Sequence, residues 1–312
     1  MEEIRRPDLS VIVPAYYEGK LVHTAYARIA EALDPTGWSY ECIFVDDGSQ
    51  DSTFQELLAL SAAQPKVKVV KLASNVGSHL AVRCGLDHAN GEAITAIACD
   101  MQEPPELIVK MYKELKAPAE IVLAVRQSRK DAWTTVIMSN LFYFIARKIA
   151  KMKLPPSGTS MFLISRKTLE AIKLYRERNM PVDGLLTTIG FQSALVYYER
   201  QERIEGVSKW TLGKKLKLFV DYFVAHSYFP IRFISLTGIL FALFGFAWTL
   251  YIILREVFIG DLESGWPALI SILLVGFGIT NISLGIMAEY LWRTLDETRA
   301  RPKYIVEKTI NM

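Results

Sequence analysis

The sequence predicts a mostly parallel α/β domain followed by two membrane-spanning helices. Two observations predict it. Across the first 126 residues, segments of strand character alternate with segments of helical spacing, the pattern of a parallel sheet covered by helices. Farther on, residues 233–254 (FISLTGILFALFGFAWTLYIIL) and 264–288 (SGWPALISILLVGFGITNISLGIMA) carry no charged side chain. A helix rises about 1.5 Å per residue and a bilayer core takes about 20 apolar residues, so each run is long enough to cross. Buried core helices are the alternative, but soluble helices seldom stay uncharged this long.

Residues 10–14 (SVIVP) are rich in β-branched side chains and read as a buried strand. Residues 21–33 have helical spacing. Residues 41–45 (ECIFV) form a second strand, closed by Asp46-Asp47-Gly48-Ser49. Asp51 and Ser52 are candidate caps for a helix over 53–63. A third strand over 67–71 precedes a helix over 78–89, which Asn90-Gly91 stops. A fourth strand over 93–99 (AITAIAC) runs straight into Asp100. Pro104-Pro105 opens a helix over 106–115, and 120–125 is a fifth strand.

With 312 residues the chain exceeds one small domain, and its 51% hydrophobic residues exclude a disordered chain. The net charge of +3, from 36 Lys and Arg against 33 Asp and Glu, provides no general field for nucleic acid. Cys42, Cys84 and Cys99 form no CxxC pair, which fits reduced thiols facing the cytosol. Residues 1–10 hold no apolar stretch, so no cleaved leader is expected. Residues 255–265, between the two runs, carry Glu256, Asp261 and Glu263 against Arg255. Arg232, Arg293, Arg299, Arg301 and Lys303 lie outside the pair. Positive charge stays cytoplasmic, so the domain before Arg232 and both termini are expected on the cytoplasmic side. The expected division is a domain over 1–212, an interfacial helix over 213–231, two spans within 232–292 and a cytoplasmic tail over 293–312. Asn281, with Thr280 and Ser283, lies inside the second span. It reads as interhelical hydrogen bonding in a bundle or homo-oligomer, with a substrate role as the alternative.

Ligands of parallel sheets bind outside the carboxyl ends of the strands. Three such ends are polar here: Pro14-Ala15-Tyr16-Tyr17-Glu18, Asp46-Asp47-Gly48-Ser49 and Asp100-Met101-Gln102-Glu103. Carboxylates on one rim suit a hard divalent cation, Mg²⁺ or Mn²⁺, whose shell is completed by phosphate oxygens and water. A nucleoside diphosphate is the fitting ligand. The sequence has no GxxxxGK[ST], and no GxGxxG follows the first strand, which disfavours P-loop hydrolysis and Rossmann dinucleotide binding. The four histidines show no metal-ligand spacing.

The set of residues 13–18, 45–53 and 100–105 resembles the inverting family 2 glycosyltransferases with a GT-A fold. Within them it is similar to the polyprenyl-phosphate glycosyltransferases: dolichyl-phosphate mannose synthase and the bacterial undecaprenyl-phosphate glucosyl- and aminoarabinosyl-transferases. The segment Val125-Arg126-Gln127-Ser128-Arg129 with Trp133, and the R-x-x-G-x-S-K element from Arg203 to Lys209, extend the resemblance. So do the two apolar runs and Arg299-Ala300-Arg301-Pro302. The resemblance implies that Pro14, Ala15, Tyr16, Glu18, Asp46 and Asp47, with Asp100, hold the nucleotide of a nucleotide sugar. It implies that Asp100 and Gln102 ligate Mg²⁺ or Mn²⁺, and that Arg203, Ser208 and Lys209 sit on a loop closing over the phosphates. Asp100, Arg203 and Lys209 then carry the catalysis. UDP-glucose is the donor the subgroup suggests. Two positions depart from the family. Ala98-Cys99-Asp100 stands where the mannose synthases have Asp-x-Asp, and Ser157 stands where bacterial relatives have an Asp assigned as a base.

A missing base does not prevent the reaction expected here. The second pKa of a phosphate monoester is about 6, so a lipid phosphate is already mostly dianionic at neutral pH. An anionic oxygen needs placement, desolvation and charge neutralisation more than proton removal. Arg126 and Arg129, with Ser139 nearby, are expected to grip this acceptor phosphate, because the guanidinium fork binds phosphate bidentately. Residues 139–154 and 213–229 interleave lysines with aromatic and apolar residues and read as interfacial helices, with packing against the sheet domain as the alternative. Two rival readings follow. A processive polysaccharide synthase needs more spans and a Q-x-x-R-W signature, which the sequence lacks. A non-catalytic membrane scaffold would have no reason to keep Glu18, Asp46, Asp100, Gln102, Arg203 and Lys209.

Overall fold

A computed structural model describes residues 6–115, 118–127, 159–175, 182–199, 265–299 and 301–312, with scattered positions between 236 and 258. Contacts divide the chain into two units. One comprises Met1–Ala225 with Pro302–Met312, the other His226–Arg301.

The first unit is built on one eight-stranded sheet. Its strands are β1 (Leu9–Ala15), β2 (Tyr40–Asp46), β3 (Val67–Leu72), β4 (Ala93–Ala96), β5 (Ile121–Arg126), β6 (Met161–Ser165), β7 (Ser193–Tyr198) and β8 (Val306–Ile310). Their order across the sheet is β7-β5-β6-β4-β1-β2-β3-β8. β4, β1, β2 and β3 run parallel, as do β5 and β7, while β6 and β8 are antiparallel to their neighbours. The carboxyl ends of β1, β2, β4, β5 and β7 therefore share one edge with the start of β6.

The helices are α1 (Val22–Leu33), α2 (Thr53–Ala63), α3 (Ser78–His88), α4 (Glu106–Glu114), α5 (Arg166–Leu174) and α6 (Val182–Thr188). Strand residues alternate between two cores. Val11, Val13 and Phe44 face one core with Ile29, Leu57 and Met111; Ile12, Ile43 and Val45 face the other with Leu86, Leu169 and Leu185. This double burial explains why the central strands are apolar throughout rather than alternating. α3 lies close on β1, and a side chain at Gly85 would drive a carbon to 2.3 Å from Ile12 Cγ2. Cys42, Cys84 and Cys99 are free and buried, and burial pushes the Cys84 thiol up to about 12, so it packs as a small hydrophobe.

Three features differ from expectation. The fourth strand ends at Ala96 rather than Cys99. β6, β7, α5 and α6 were not legible as elements. The expected tail over 293–312 is also corrected, because α7 (Trp266–Thr298) continues to Thr298 and β8 then joins the sheet. Beyond its ladder with β3, the carboxyl-terminal segment is fastened by Tyr304 Oη donating to Asp87 Oδ2 (2.6 Å) and Lys303 Nζ to the Tyr175 carbonyl (3.0 Å). Lys71 Nζ pairs with Glu307 (2.9 Å), and Asn311 Nδ2 donates to the Ser61 and Val67 carbonyls. A five-residue strand (VEKTI) whose charged side chains face solvent gives little apolar signal.

In the second unit α7 spans 33 residues, about 50 Å at 1.5 Å per residue. Counted over the described residues alone, no helix is long and apolar enough to cross a membrane. Within α7, Thr280, Asn281 and Ser283 donate to the carbonyls of Gly276, Phe277 and Ile279. They satisfy their own helix.

Candidate functional site

The site is assembled at the carboxyl edge of the sheet. After β1 the chain turns at Tyr17, a non-glycine residue with φ of 54°. Its N–H donates to Ser49 Oγ (3.1 Å), and the Glu18 N–H donates to Thr53 Oγ1 (3.0 Å), tying the β1 and β2 loops together. Thr53 is itself held by Asp51, which accepts from its N–H and its hydroxyl, so Asp51 rather than Ser52 dresses the start of α2. The Tyr16 and Tyr17 rings lie 4.4 Å apart at the mouth. After β4, Met101 is buried with φ of 51°, and half-buried Asp100 and Gln102 flank it. The Gln102 N–H points to Asp100 Oδ1 at 3.4 Å. Left-handed backbone at a bulky residue is costly and clusters at ligand sites. Here it occurs at the ends of two hydrogen-bonded neighbours, β1 and β4.

The two acids after β2 have different fates. Asp47 accepts from the Val76 N–H (2.7 Å) on one oxygen, and from the Gly77 N–H and Asn75 Nδ2 (both 2.9 Å) on the other. It is spent on holding the β3–α3 loop. Gly48, with φ of 70°, lets that loop approach; a Cβ there would lie 2.6 Å from the Ser74 carbonyl carbon. Asp46 is fully buried. Its Oδ1 accepts from the Ser49 N–H (3.0 Å), while Oδ2 has no hydrogen-bond partner. Burial raises both carboxyls above the ordinary range, against the lowering pull of the Ser49 side chain and N–H on Asp46 and of the Val76 and Gly77 N–H groups on Asp47.

Across the edge, Arg126 ends β5 beside Tyr198, which ends β7 in register with it. Tyr198 Oη lies 3.2 Å from Glu103 Oε1 and 2.6 Å from Ser160 Oγ. The edge is thus acidic over β2 and β4 and carries a guanidinium over β5.

A family model described as Glycosyl transferase family 2 matches residues 10–173. The chain belongs to glycosyltransferase family 2. The family 2 match is supported by a Bacillus subtilis protein described as the uncharacterized glycosyltransferase YkcC, 35% identical over 98% of this chain and 95% of its own. An Escherichia coli protein described as a prophage bactoprenol glucosyl transferase homolog is 34% identical over 96% of this chain and 98% of its own. The GT-A fold is shared with mannosyl-3-phosphoglycerate synthase from Rubrobacter xylanophilus, at a TM-score of 0.51 and 16% identity, over 74% of this chain and 75% of that one.

In this family 2 enzyme the structure brings Pro14, Ala15, Tyr16, Glu18, Asp46, Asp47, Asp100, Gln102 and Arg126 to one edge. Arg129, Ser139, Ser157, Arg203, Ser208 and Lys209 lie outside the described residues, as do both expected interfacial helices. The sequence reading gave Tyr198 no role. Its signal was the abrupt passage from an apolar run, SALVYY, into ERQER. Among the described residues no three His, Cys, Asp or Glu side chains could hold a metal ion. Any cation bound at Asp100 would have to draw most of its shell from the ligand and water, as Mg²⁺ and Mn²⁺ do on a diphosphate.

Proposed function

We propose that this glycosyltransferase moves one sugar, glucose from UDP-glucose, onto polyprenyl phosphate at the cytoplasmic face of a membrane, with inversion at the anomeric carbon. The observation that carries this reading is the split edge: Asp46 with a bare buried oxygen and Asp100 on one side, Arg126 on the other. The acceptor class comes from the similarity to proteins named bactoprenol glucosyl transferases. Asp46 Oδ2 takes an N–H or hydroxyl of the nucleotide, Tyr16 and Glu18 border it, and Asp47 acts by holding its loop. Asp100, with Gln102 beside it, holds a divalent cation that neutralises the leaving diphosphate. Arg126, with Arg129 and Ser139, orients the acceptor phosphate; Arg203 and Lys209 close on the donor phosphates.

The membrane assignment rests on the two uncharged runs and on charge asymmetry around them. Exposed Leu236, Phe244, Leu273, Phe277 and Leu291 in the helical unit support it, since such side chains seek an apolar surround. The internally satisfied Asn281 and its neighbours suit a helix in lipid. The chain enters the sheet unit on both flanks of residues 226–301, which suits an even number of crossings.

The test is transfer from radiolabelled nucleotide sugars to undecaprenyl phosphate by the full chain, with Mn²⁺, Mg²⁺ or chelator. One sugar on lipid with the inverted anomer is the expected product. A long polymer would instead indicate a processive synthase, and no transfer from any donor a scaffold.

A further inference from the structure

Four segments that never meet in sequence meet at the Tyr198 phenol. Glu103 lies three residues past Asp100, Arg126 closes β5, Ser160 precedes β6, and Tyr198 closes β7. The phenol is buried at 5% exposure and Glu103 at 7%. Glu103 Oε1 and Ser160 Oγ stand at 3.2 and 2.6 Å from it, and Arg126 is its cross-strand neighbour in register on β5. Chemistry orders these contacts. A carboxylate only accepts and an arginine only donates, so the phenol O–H goes to Glu103 and a lone pair is left to face the neighbouring guanidinium. The Ser160 hydroxyl then donates to the second lone pair, its other acceptor, the Ala124 carbonyl, being 3.5 Å away. The bonds to Glu103 and Ser160 hold the phenol in one orientation beside Arg126. The Gln127 N–H donating to the Tyr198 carbonyl (3.0 Å) fixes the backbone of the same pair.

We infer that Tyr198 is a positioning residue: its hydroxyl aims Arg126 at the acceptor phosphate and ties that aim, through Glu103, to the loop bearing Asp100. The inference rests on the acceptor role proposed for Arg126. It goes further by assigning a residue that touches neither donor nor acceptor. A long guanidinium left to wander loses much of its bidentate grip on phosphate, and removing one hydrogen bond to a charged group is worth about tenfold.

The experiment is steady-state transfer to undecaprenyl phosphate in detergent micelles by the full chain as wild type, Tyr198→Phe, Arg126→Ala and the double variant. Tyr198→Phe should raise the acceptor KM about fivefold to tenfold while the donor KM stays within about twofold. In the Arg126→Ala background it should add less than about twofold, because the group it orients is gone. Additive effects, or a shift in donor KM instead, would overturn the inference. Acceptor KM raised by Arg126→Ala but untouched by Tyr198→Phe would sink the positioning role alone. An unchanged acceptor KM in Arg126→Ala would remove Arg126 from the acceptor site, and this inference with it. Should Tyr198→Phe melt early, Ser160→Ala, which strips one partner from the same phenol, carries the same comparison.

Discussion

Glu41 and Asp46 are both buried carboxylates on β2, five positions apart, at opposite edges of the sheet. Glu41 accepts from Ser10 Oγ (2.5 Å), the Asn90 N–H (2.7 Å) and Lys68 Nζ (2.6 Å). Every lone pair it needs filled is filled by the fold. Asp46 is given one backbone donor and keeps a bare oxygen. A cleft by itself does not mark a site. A cleft of about 530 Å³ opens at the Glu41 edge, lined by Arg6, Lys66, Lys68 and Asn90 among others. Yet its cations are paired with Glu92, Asp34 and Glu41. Between these two carboxylates, the unfilled valence of Asp46 distinguishes the edge proposed for chemistry from the edge that holds the fold.

The comparison is broken most directly at the chemical edge. Asp100→Asn should lower sugar transfer about 10²–10³-fold, as loss of a preorganised electrostatic group does, with the melting temperature unchanged. Activity surviving that change in the presence of chelator would remove the cation from the mechanism. At the opposite edge Glu41→Ala should do the reverse. It strands the Lys68 ammonium, whose side chain is only 19% exposed, and should cost about 2–4 kcal/mol in urea unfolding, less than a fully buried pair, with donor KM unchanged. Impaired donor binding in that variant would erase the contrast between edges. Asp47→Asn sharpens it further, since this acid sits at the chemical edge but is satisfied like Glu41. Turning one oxygen into an NH₂ group facing N–H donors should cost about 1–3 kcal/mol. Hydrogen exchange at Val76 and Gly77 should rise, and UDP affinity should fall only through the loosened loop.

The sequence carries the first half of this architecture plainly. β1, β2, β4 and β5 are largely apolar runs and helices alternate with them, so their order and the polar ends of β1, β2 and β4 are legible from local pattern. The later strands are not. β7 is an apolar run but lies at an edge with Leu195 and Tyr197 exposed, and β8, VEKTI, returns from beyond the helical unit, so neither continues the strand–helix alternation of the first half. The division of labour between Asp46 and Asp47 is equally invisible. It depends on Gly48 adopting a left-handed turn and on a loop 28 to 30 residues later docking onto one acid and missing the other. Glu103 and Tyr198, 95 residues apart, meet only because β6 turns back between β4 and β5.

The smallest expected effect has the opposite sign to the rest. Burial raises the Asp46 carboxyl above the ordinary value, so the folded chain holds its proton more tightly than the unfolded chain, whose value is about 3.9. Stability is therefore lost as pH rises from about 3.9 through the raised folded value, and the ionised carboxylate is a burden at neutral pH. Asp46→Asn keeps an oxygen for the Ser49 N–H and removes that charge. Its melting temperature at pH 7 should equal or slightly exceed that of the unaltered chain, and the difference should vanish below about pH 4, where Asp46 is neutral too. The same variant should lose most of the thermal stabilisation that UDP confers by mass action, because the oxygen left for the nucleotide has become an amide. A drop in melting temperature at pH 7 with UDP stabilisation intact would mean that Asp46, like Glu41, belongs to the scaffold.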